Sequence, residues 1–178
     1  MSSEIDKPFA IPWINEVLPA PIGPCNKTID WGFNLCESFF PKNKVSFKFS
    51  HNLNPQSIVL LQGPIGAGKT SFVQGIAKGL SISEDITSPT FALSHHYNSG
   101  KIPLIHLDLY RLENVSFAKE VFFSEEEEAI QRQAILVIEW PELIKPVIQN
   151  FWKIEISYAK NYGRHYEIRD PKNLLTFS

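Results

Sequence analysis

The sequence predicts an α/β fold in which a mostly parallel central sheet carries helices on both faces. Apolar runs of strand length alternate along the chain with segments of helical periodicity, which is the pattern of such a fold. Three of the apolar runs end in polar residues, at Gln62, Asp108 and Glu139. Because ligands of open α/β sheets bind at the carboxyl ends of the strands, we expect one functional site at that edge.

The most specific pattern in the chain is a phosphate loop. Residues 63–70 read Gly-Pro-Ile-Gly-Ala-Gly-Lys-Thr and match G-x-x-x-x-G-K-[ST] at every fixed position. The glycines let backbone N–H groups approach a polyphosphate, Lys69 reaches the β- and γ-phosphates, and the Thr70 hydroxyl ligates Mg²⁺. A strand-length run precedes the loop and residues 69–80 have helical spacing, which places the phosphates at a helix N-terminus. This context predicts a single P-loop NTPase domain.

Composition sets simple bounds on the function. The 178 residues suit one domain, and 43% apolar residues with 13 Phe can fill its core. A net charge of −2 argues against a long duplex-binding surface. Cys25 and Cys36 are too far apart for a Cys-x-x-Cys pair and indicate reduced thiols. With no secretory signal and no membrane-length apolar run, we expect a cytoplasmic protein that does not bind membranes.

The chain is predicted to divide into a proline-rich N-terminal arm, residues 1–26, and a P-loop ATPase domain, residues 27–178. Five prolines in the arm prevent a long regular helix. At the start of the domain, Thr28 is predicted to cap a helix that runs to about Phe40. Val45 to Phe49 alternates apolar and polar residues, which favours a half-buried strand.

The remaining elements follow from apolar runs and turn signals. The acidic run Glu125 to Glu128 is predicted to be a solvated helix face rather than a binding site. The predicted elements are a loop leading into a strand over Ile86–Tyr97, a strand over Ile102–Leu107, helix and loop from Leu112 to about Gln133, a strand over Ala134–Ile138, and a hairpin of Trp152–Tyr158 and His165–Arg169 around a turn at residues 161–163.

Two carboxylates at strand ends are the candidate catalytic groups. Asp108 follows a buried strand, where phosphate-loop NTPases hold Mg²⁺, although a helix cap or surface carboxylate is the alternative. Glu139 follows the most apolar run and either orients the attacking water, completes the Mg²⁺ shell, or forms a salt bridge. Ser88 and Thr90 lie in a Thr-Ser-Pro-Thr-Phe segment whose hydroxyls either sense the γ-phosphate or belong to an ordinary turn.

Four other side chains are candidates of lower rank. His95, His96 and His106 do not have metal-ligand spacing, and we interpret them as surface or packed histidines. Arg111 is either an ion-pair partner or a phosphate contact.

Taken in order, four sequence blocks resemble the bacterial TsaE (YjeE) family, the ATPase component of tRNA threonylcarbamoyladenosine biosynthesis. They are the phosphate loop, Thr-Ser-Pro-Thr-Phe at 87–91, His-Leu-Asp-Leu-Tyr-Arg-Leu at 106–112, and Ile-Glu-Trp-Pro-Glu at 138–142. The Asp-Leu-Tyr-Arg and Glu-Trp-Pro-Glu blocks are far more specific than the loop. The resemblance extends from about Thr28 to Arg169. Pro64 departs from the family pattern and lacks one backbone N–H.

The resemblance implies roles for the matching positions. Glu139 and Lys69 would be catalytic, and Thr70, Asp108 and Glu139 would hold Mg²⁺. Trp140 would lie beside the nucleotide, with Ser88 and Thr90 in a switch-like segment. The full set expected to bind ATP is Gly63, Gly66, Ala67, Gly68, Lys69, Thr70, Ser71, Ser88, Thr90 and Trp140.

The resemblance also implies a function and partners. ATP hydrolysis, weak in the protein alone, would reset a complex of the threonylcarbamoyl-transferase subunit and its inactive paralogue, which are TsaD- and TsaB-like proteins. Contact with tRNA would be indirect, through that complex.

The alternative function is that of a small-molecule P-loop kinase. Such a kinase needs an arginine-bearing lid over the phosphates and a charged clamp for its substrate. Between Asp108 and Glu139 the sequence has only Arg111 and Arg132, which gives no arginine-rich lid.

Overall fold

The structure, a computed structural model, describes residues 28–29, 33–34, 44–159 and 164–171. Within these residues the chain forms eight strands, three helices and two 3-10 turns. The elements are β1 (Thr28–Ile29), β2 (Phe33–Asn34), α1 (Lys44–Ser50), β3 (Ile58–Gln62), α2 (Lys69–Gly79), β4 (Ser94–Tyr97), β5 (Leu104–Asp108), α3 (Val115–Arg132), β6 (Ile135–Glu139), 3-10 turns at Pro141–Leu143 and Lys145–Val147, β7 (Phe151–Tyr158) and β8 (Arg164–Arg169).

The main sheet has six strands in the order β4-β5-β6-β3-β7-β8. The four central strands are parallel, while β4 and β8 pair antiparallel to β5 and β7 at the two edges. Asp108 and Leu61 both pair in register with Glu139. The predicted strand ends therefore meet at one edge of the sheet, and the predicted fold class is confirmed.

Helices cover both faces of the sheet. Every residue of β5 and β6 is buried, since parallel strands between two helical layers are shielded on both sides. In β3, Val59 and Leu61 belong to the core cluster shared with α1 and α2, whereas Leu60 belongs to the cluster shared with α3. This alternation follows from the two-residue period of a strand.

The strand predicted at Val45–Phe49 is wrong, because these residues lie in helix α1. Val45 and Phe49 are four residues apart and so share one buried face of the helix, while Phe47 between them is 37% exposed. The helix packs closely on α2 at Gly79, where a Cβ would lie 1.8 Å from Ser50 Oγ. A short alternating run is compatible with either element, and this packing selects the helix.

The helix predicted from Thr28 to about Phe40 is also wrong at the four of its residues that the structure describes. Thr28 pairs with Asn34 and Ile29 with Phe33 as two short antiparallel strands. Gly32 lies within the predicted helix, and glycine in a helix interior is unfavourable. The rest of that segment, the arm at 1–26, both cysteines and the turn at 161–163 lie outside the described residues.

The remaining elements agree with the predictions. Helix α3 begins at Asn114, whose side chain caps Phe117 N at 2.9 Å. Its acidic run is partly exposed, with Glu125 bonded to His96 at 2.7 Å and Glu128 paired with Arg132. No helix within the described ranges combines the length and the apolar character needed to cross a membrane.

The assignment of α1 is tested by removing its two phenylalanine rings separately. Phe49 is fully buried against the rings of Phe72 and Trp152, so Phe49→Ala should lower the free energy of unfolding by about 3–5 kcal/mol. Phe47→Ala is the matched control and should cost less than about 1 kcal/mol. Urea unfolding measures both. Comparable losses at the two positions would contradict the helix, because a strand would place both rings on one face.

Candidate functional site

The phosphate loop connects β3 to α2 in a conformation that glycine makes possible. Gly63 has φ +144°, and a Cβ there would lie 2.3 Å from the Ile156 carbonyl oxygen on β7. Gly68 precedes α2 in the left-handed region, with φ +101°. A side chain at Gly63 would therefore clash with β7, and a side chain at Gly68 would be strained by the left-handed backbone.

Lys69 is held at the mouth of the loop. Its ammonium donates to the carbonyl oxygens of Gly63 at 2.8 Å and Pro64 at 3.0 Å, and lies 3.9 Å from the ring centroid of Trp140. Burial lowers the pKa of Lys69, and the carboxylates of Glu139, Asp108 and Glu142 oppose that shift, in that order. The two carbonyl contacts use two of the three N–H donors of the Lys69 ammonium.

Glu139 ends β6 and is buried, with a relative exposure of 3%. One of its oxygens, Oε1, accepts from the Thr70 hydroxyl at 3.0 Å and from His106 Nε2 at 2.9 Å. Since burying a carboxylate is costly without donors, these two contacts offset part of that cost and fix the orientation of the side chain. The first residues of α2 and the strands β5 and β6 thus converge on one oxygen.

Asp108 ends β5 and is also buried. The hydroxyls of Thr90 and Ser88 donate to its Oδ2, the latter at 3.3 Å, and Tyr110 N donates to Oδ1 at 3.0 Å. The Thr-Ser-Pro-Thr-Phe segment is thereby held against a strand-end carboxylate.

These groups surround a single cavity of about 430 Å³. It lies at the predicted edge of the sheet, and Trp140, with a left-handed φ of +58°, forms part of its wall. The lining residues are Ile65, Gly66, Gly68, Lys69, Thr70, Ser71, Ser88, Thr90, Asp108, Tyr110, Glu139 and Trp140. Of the nucleotide-binding candidates taken from the sequence, Gly63 and Ala67 are not among the residues that line the cavity.

The sequence interpretation missed the contact made by His106. It is fully buried, and its Nδ1 has no hydrogen-bond partner within the described residues. One signal was present: His106 lies two residues before Asp108, so both side chains point to the same face of β5. The partner, Glu139, is 33 residues away and cannot be found from local spacing.

The other histidines and Arg111 have structural contacts. His95 lies near the Tyr97 hydroxyl at 3.3 Å, and His96 pairs with Glu125. The part of the chain that the structure describes holds no group of three His, Cys, Asp or Glu suited to a metal. Arg111 stacks on the exposed Phe91 ring at 4.0 Å.

The donors that converge here suit a hard cation. They are one hydroxyl and two carboxylates, from Thr70, Asp108 and Glu139, without sulfur ligands. Mg²⁺ is bound in proteins by one or two carboxylates together with water and substrate phosphates, and a denser protein cage is not needed. The residues present therefore fit Mg²⁺.

The contact between His106 and Glu139 predicts energetic coupling between the two side chains. His106→Leu should lower the free energy of unfolding by about 1–3 kcal/mol, because Glu139 loses a buried donor. In a double-mutant cycle with Glu139→Gln, the two effects should be non-additive by about 0.5–3 kcal/mol in urea unfolding. Effects that add within about 0.3 kcal/mol would show that the two groups do not interact.

Comparisons with family models and with known proteins indicate the same family. A family model described as "Threonylcarbamoyl adenosine biosynthesis protein TsaE" matches residues 37–166. A relative from Nostoc sp., named tRNA threonylcarbamoyladenosine biosynthesis protein TsaE, is 44% identical over 120 residues, which cover 65% of this chain and 72% of the relative. A Rickettsia typhi protein of the same name is 41% identical over 131 residues, which cover 72% of this chain and 88% of that one.

A solved structure has a similar fold. The crystal structure of YdiB from Bacillus subtilis superposes with a TM-score of 0.58 at 28% identity, covering 72% of this chain and 78% of that one. The family model spans well over half of the chain, and its residues include the loop and both strand-end carboxylates. The chain therefore belongs to the TsaE family, a family of phosphate-loop NTPases named for tRNA threonylcarbamoyladenosine biosynthesis.

Proposed function

We propose that this protein binds and hydrolyses Mg·ATP, and that hydrolysis resets the threonylcarbamoyl-transferase complex between rounds of tRNA modification. The observation that supports this most strongly is the hydrogen bond of 3.0 Å between Thr70 and Glu139. It joins the Mg²⁺-ligating position of the phosphate loop to a carboxylate that ends the adjacent strand.

Binding of ATP is assigned to the loop and its lysine. The N–H groups of the loop and the Lys69 ammonium would take up the phosphates, and Lys69 would exchange the carbonyls of Gly63 and Pro64 for phosphate oxygens. Trp140, whose ring contacts Lys69 and whose backbone is left-handed, would form the wall beside the nucleotide.

Mg²⁺ would be held by Thr70, Asp108 and Glu139. When bound, it would neutralise part of the negative charge of the phosphates. The hydroxyls of Thr90 and Ser88 hold Asp108 in place for that role. Their position beside the metal-binding carboxylate favours a switch-like function for the 87–91 segment over an ordinary turn.

Hydrolysis is assigned to Glu139. Its Oε1 is fixed by Thr70 and His106, which leaves the carboxylate in a defined orientation towards the cavity that it lines. A carboxylate held in this way can orient and deprotonate an attacking water. Glu139 is therefore our first candidate for a catalytic residue, and Lys69, which would contact the β- and γ-phosphates, is the second.

The described arginines near the site have other contacts. Arg111 stacks on Phe91, and Arg164 donates to the carbonyl oxygens of Ala67 and Gly66. Phosphate-loop NTPases without an arginine finger are slow, with rates of about 10⁻⁴ s⁻¹, and gain about 10³–10⁵-fold when a partner supplies the group. We infer that this protein is a weak ATPase alone and is activated in a complex.

The partners and pathway are proposed from the family. Relatives are named for tRNA threonylcarbamoyladenosine biosynthesis, so the partners would be the TsaD-like transferase subunit and its TsaB-like inactive paralogue. Contact with tRNA would be indirect, and the location that fits tRNA modification is the cytoplasm. Residues 27–178 would form the ATPase domain and residues 1–26 an accessory arm.

The small-molecule kinase is not favoured by the structure. The segment between Asp108 and Glu139 is mostly helix α3, and Arg132 at its end pairs with Glu128. Arg111, the other arginine of this segment, stacks on Phe91.

The function is tested by repeated-turnover formation of threonylcarbamoyladenosine on tRNA with purified transferase partners. Wild-type protein should sustain many cycles, and phosphate release should rise strongly over that of the protein alone. Lys69→Ala should stop the reaction after about one cycle, because ATP is no longer bound. Lys78→Ala is the matched control, since it removes an exposed lysine from the same helix. Equal product with and without this protein, or partner-independent turnover of tens per second, would contradict the proposal.

A further inference from the structure

Strand β7 extends past the end of β3 and runs beside the phosphate loop. The two strands pair from Ile58 with Phe151 to Gln62 with Glu155, so the last three residues of β7 have no partner in β3. At about 3.3 Å per residue, this overhang reaches about 10 Å along the loop. The close approach of Gly63 to the Ile156 carbonyl is the first contact of the overhang.

The end of the β7–β8 hairpin binds three successive carbonyl groups of the loop. The Tyr158 hydroxyl donates to Ile65 O at 2.8 Å. Arg164 donates from Nε to Ala67 O at 3.0 Å and from its terminal nitrogen to Gly66 O at 3.4 Å. Phosphate loops bind nucleotides through N–H groups, so contacts to these carbonyls leave the phosphate-binding donors available.

Tyr158 and Arg164 also support each other. They lie directly opposite in the register of the hairpin, and the guanidinium is 4.8 Å from the centroid of the tyrosine ring. Cross-strand pairs of this kind interact through their side chains, and a guanidinium over an aromatic face is attracted to it. The pair therefore acts on the loop as a unit.

The loop needs such an anchor because its own backbone is permissive. Gly66 and Gly68 have positive φ values of 76° and 101° and carry no side chains that could pack. Lys69 anchors only Gly63 and Pro64, and it would leave both when a phosphate binds. The contacts from the hairpin involve Ile65, Gly66 and Ala67, and they can persist in both states.

We propose that Tyr158 and Arg164 are positioning residues that hold the phosphate loop in its nucleotide-binding conformation before the nucleotide arrives. The proposal rests on the proposed function, because it concerns how the same site is prepared. If the loop is in its nucleotide-binding conformation for only a fraction of the time, the apparent Kd equals the intrinsic Kd divided by that fraction. The turnover rate at saturating nucleotide is unchanged. The hairpin thus acts on affinity rather than on the chemical step.

The test is removal of one oxygen atom. Tyr158→Phe deletes the hydroxyl and keeps the ring under Arg164. It should raise the Kd for Mg·ATP about three- to tenfold, the effect of one lost hydrogen bond, with kcat changed by less than about twofold. Tyr166→Phe is the matched control, a hydroxyl deletion on the same hairpin at a ring that packs on Phe72, and its Kd should equal that of wild type. Arg164→Lys should change the Kd in the same direction as Tyr158→Phe.

Amide hydrogen exchange supplies a second readout that does not need nucleotide binding. In the free protein, the amides of residues 65–68 should exchange faster in Tyr158→Phe than in wild type, and saturating Mg·ATP should remove the difference. Equal exchange in the two free proteins, or an unchanged Kd, would overturn the proposal. If wild type binds no Mg·ATP, the proposed function fails, while exchange in the free proteins still decides the role of the hairpin.

Discussion

The site depends on a single buried oxygen, Oε1 of Glu139. It accepts hydrogen bonds from Thr70 at 3.0 Å and from His106 at 2.9 Å, and so connects the start of α2 to strands β5 and β6. Burying a carboxylate is costly unless it receives hydrogen bonds, so these two donors offset part of the cost of placing Glu139 at the end of β6. Lys69 and the second carboxylate, Asp108, line the same cavity as Glu139.

The second constraint is the set of contacts that Lys69 makes with the phosphate loop and with Trp140. Lys69 is 5% exposed, and its charge would be costly there without the two loop carbonyls and the Trp140 ring. Trp140 keeps a left-handed backbone, which is uncommon for a bulky residue and is maintained only by its surroundings. The loop, the lysine and the tryptophan thus form one wall of the cavity, held together by these contacts.

Much of this arrangement could be predicted from the sequence, for identifiable reasons. Strands β3 and β6 are continuous apolar runs up to their last residue, and the polar residues Asp108 and Glu139 mark the ends of β5 and β6. The loop pattern specifies its own context of strand and helix. Helix α1 could not be predicted in the same way, because Val45 to Phe49 fits two periodicities and only packing on α2 distinguishes them.

Contacts between distant residues were the other part that could not be predicted. The sequence around His106 gives no sign of its contact, because the partner, Oε1 of Glu139, is 33 residues away along the chain. The contacts from Tyr158 and Arg164 are made to backbone carbonyls, which every residue carries and which therefore leave no signal in the sequence. Local pattern predicted where the site lies, and tertiary pairing determines how its groups are oriented.

The central claim is that one site separates nucleotide binding from turnover, with Lys69 responsible for the first and Glu139 for the second. The most direct measurement is the Kd for Mg·ATP by calorimetry, together with single-turnover hydrolysis, in wild type, Lys69→Ala and Glu139→Ala. We predict that Lys69→Ala loses binding, whereas Glu139→Ala binds ATP and does not hydrolyse it. Equal loss of binding in both variants, or hydrolysis retained by Glu139→Ala, would contradict this assignment.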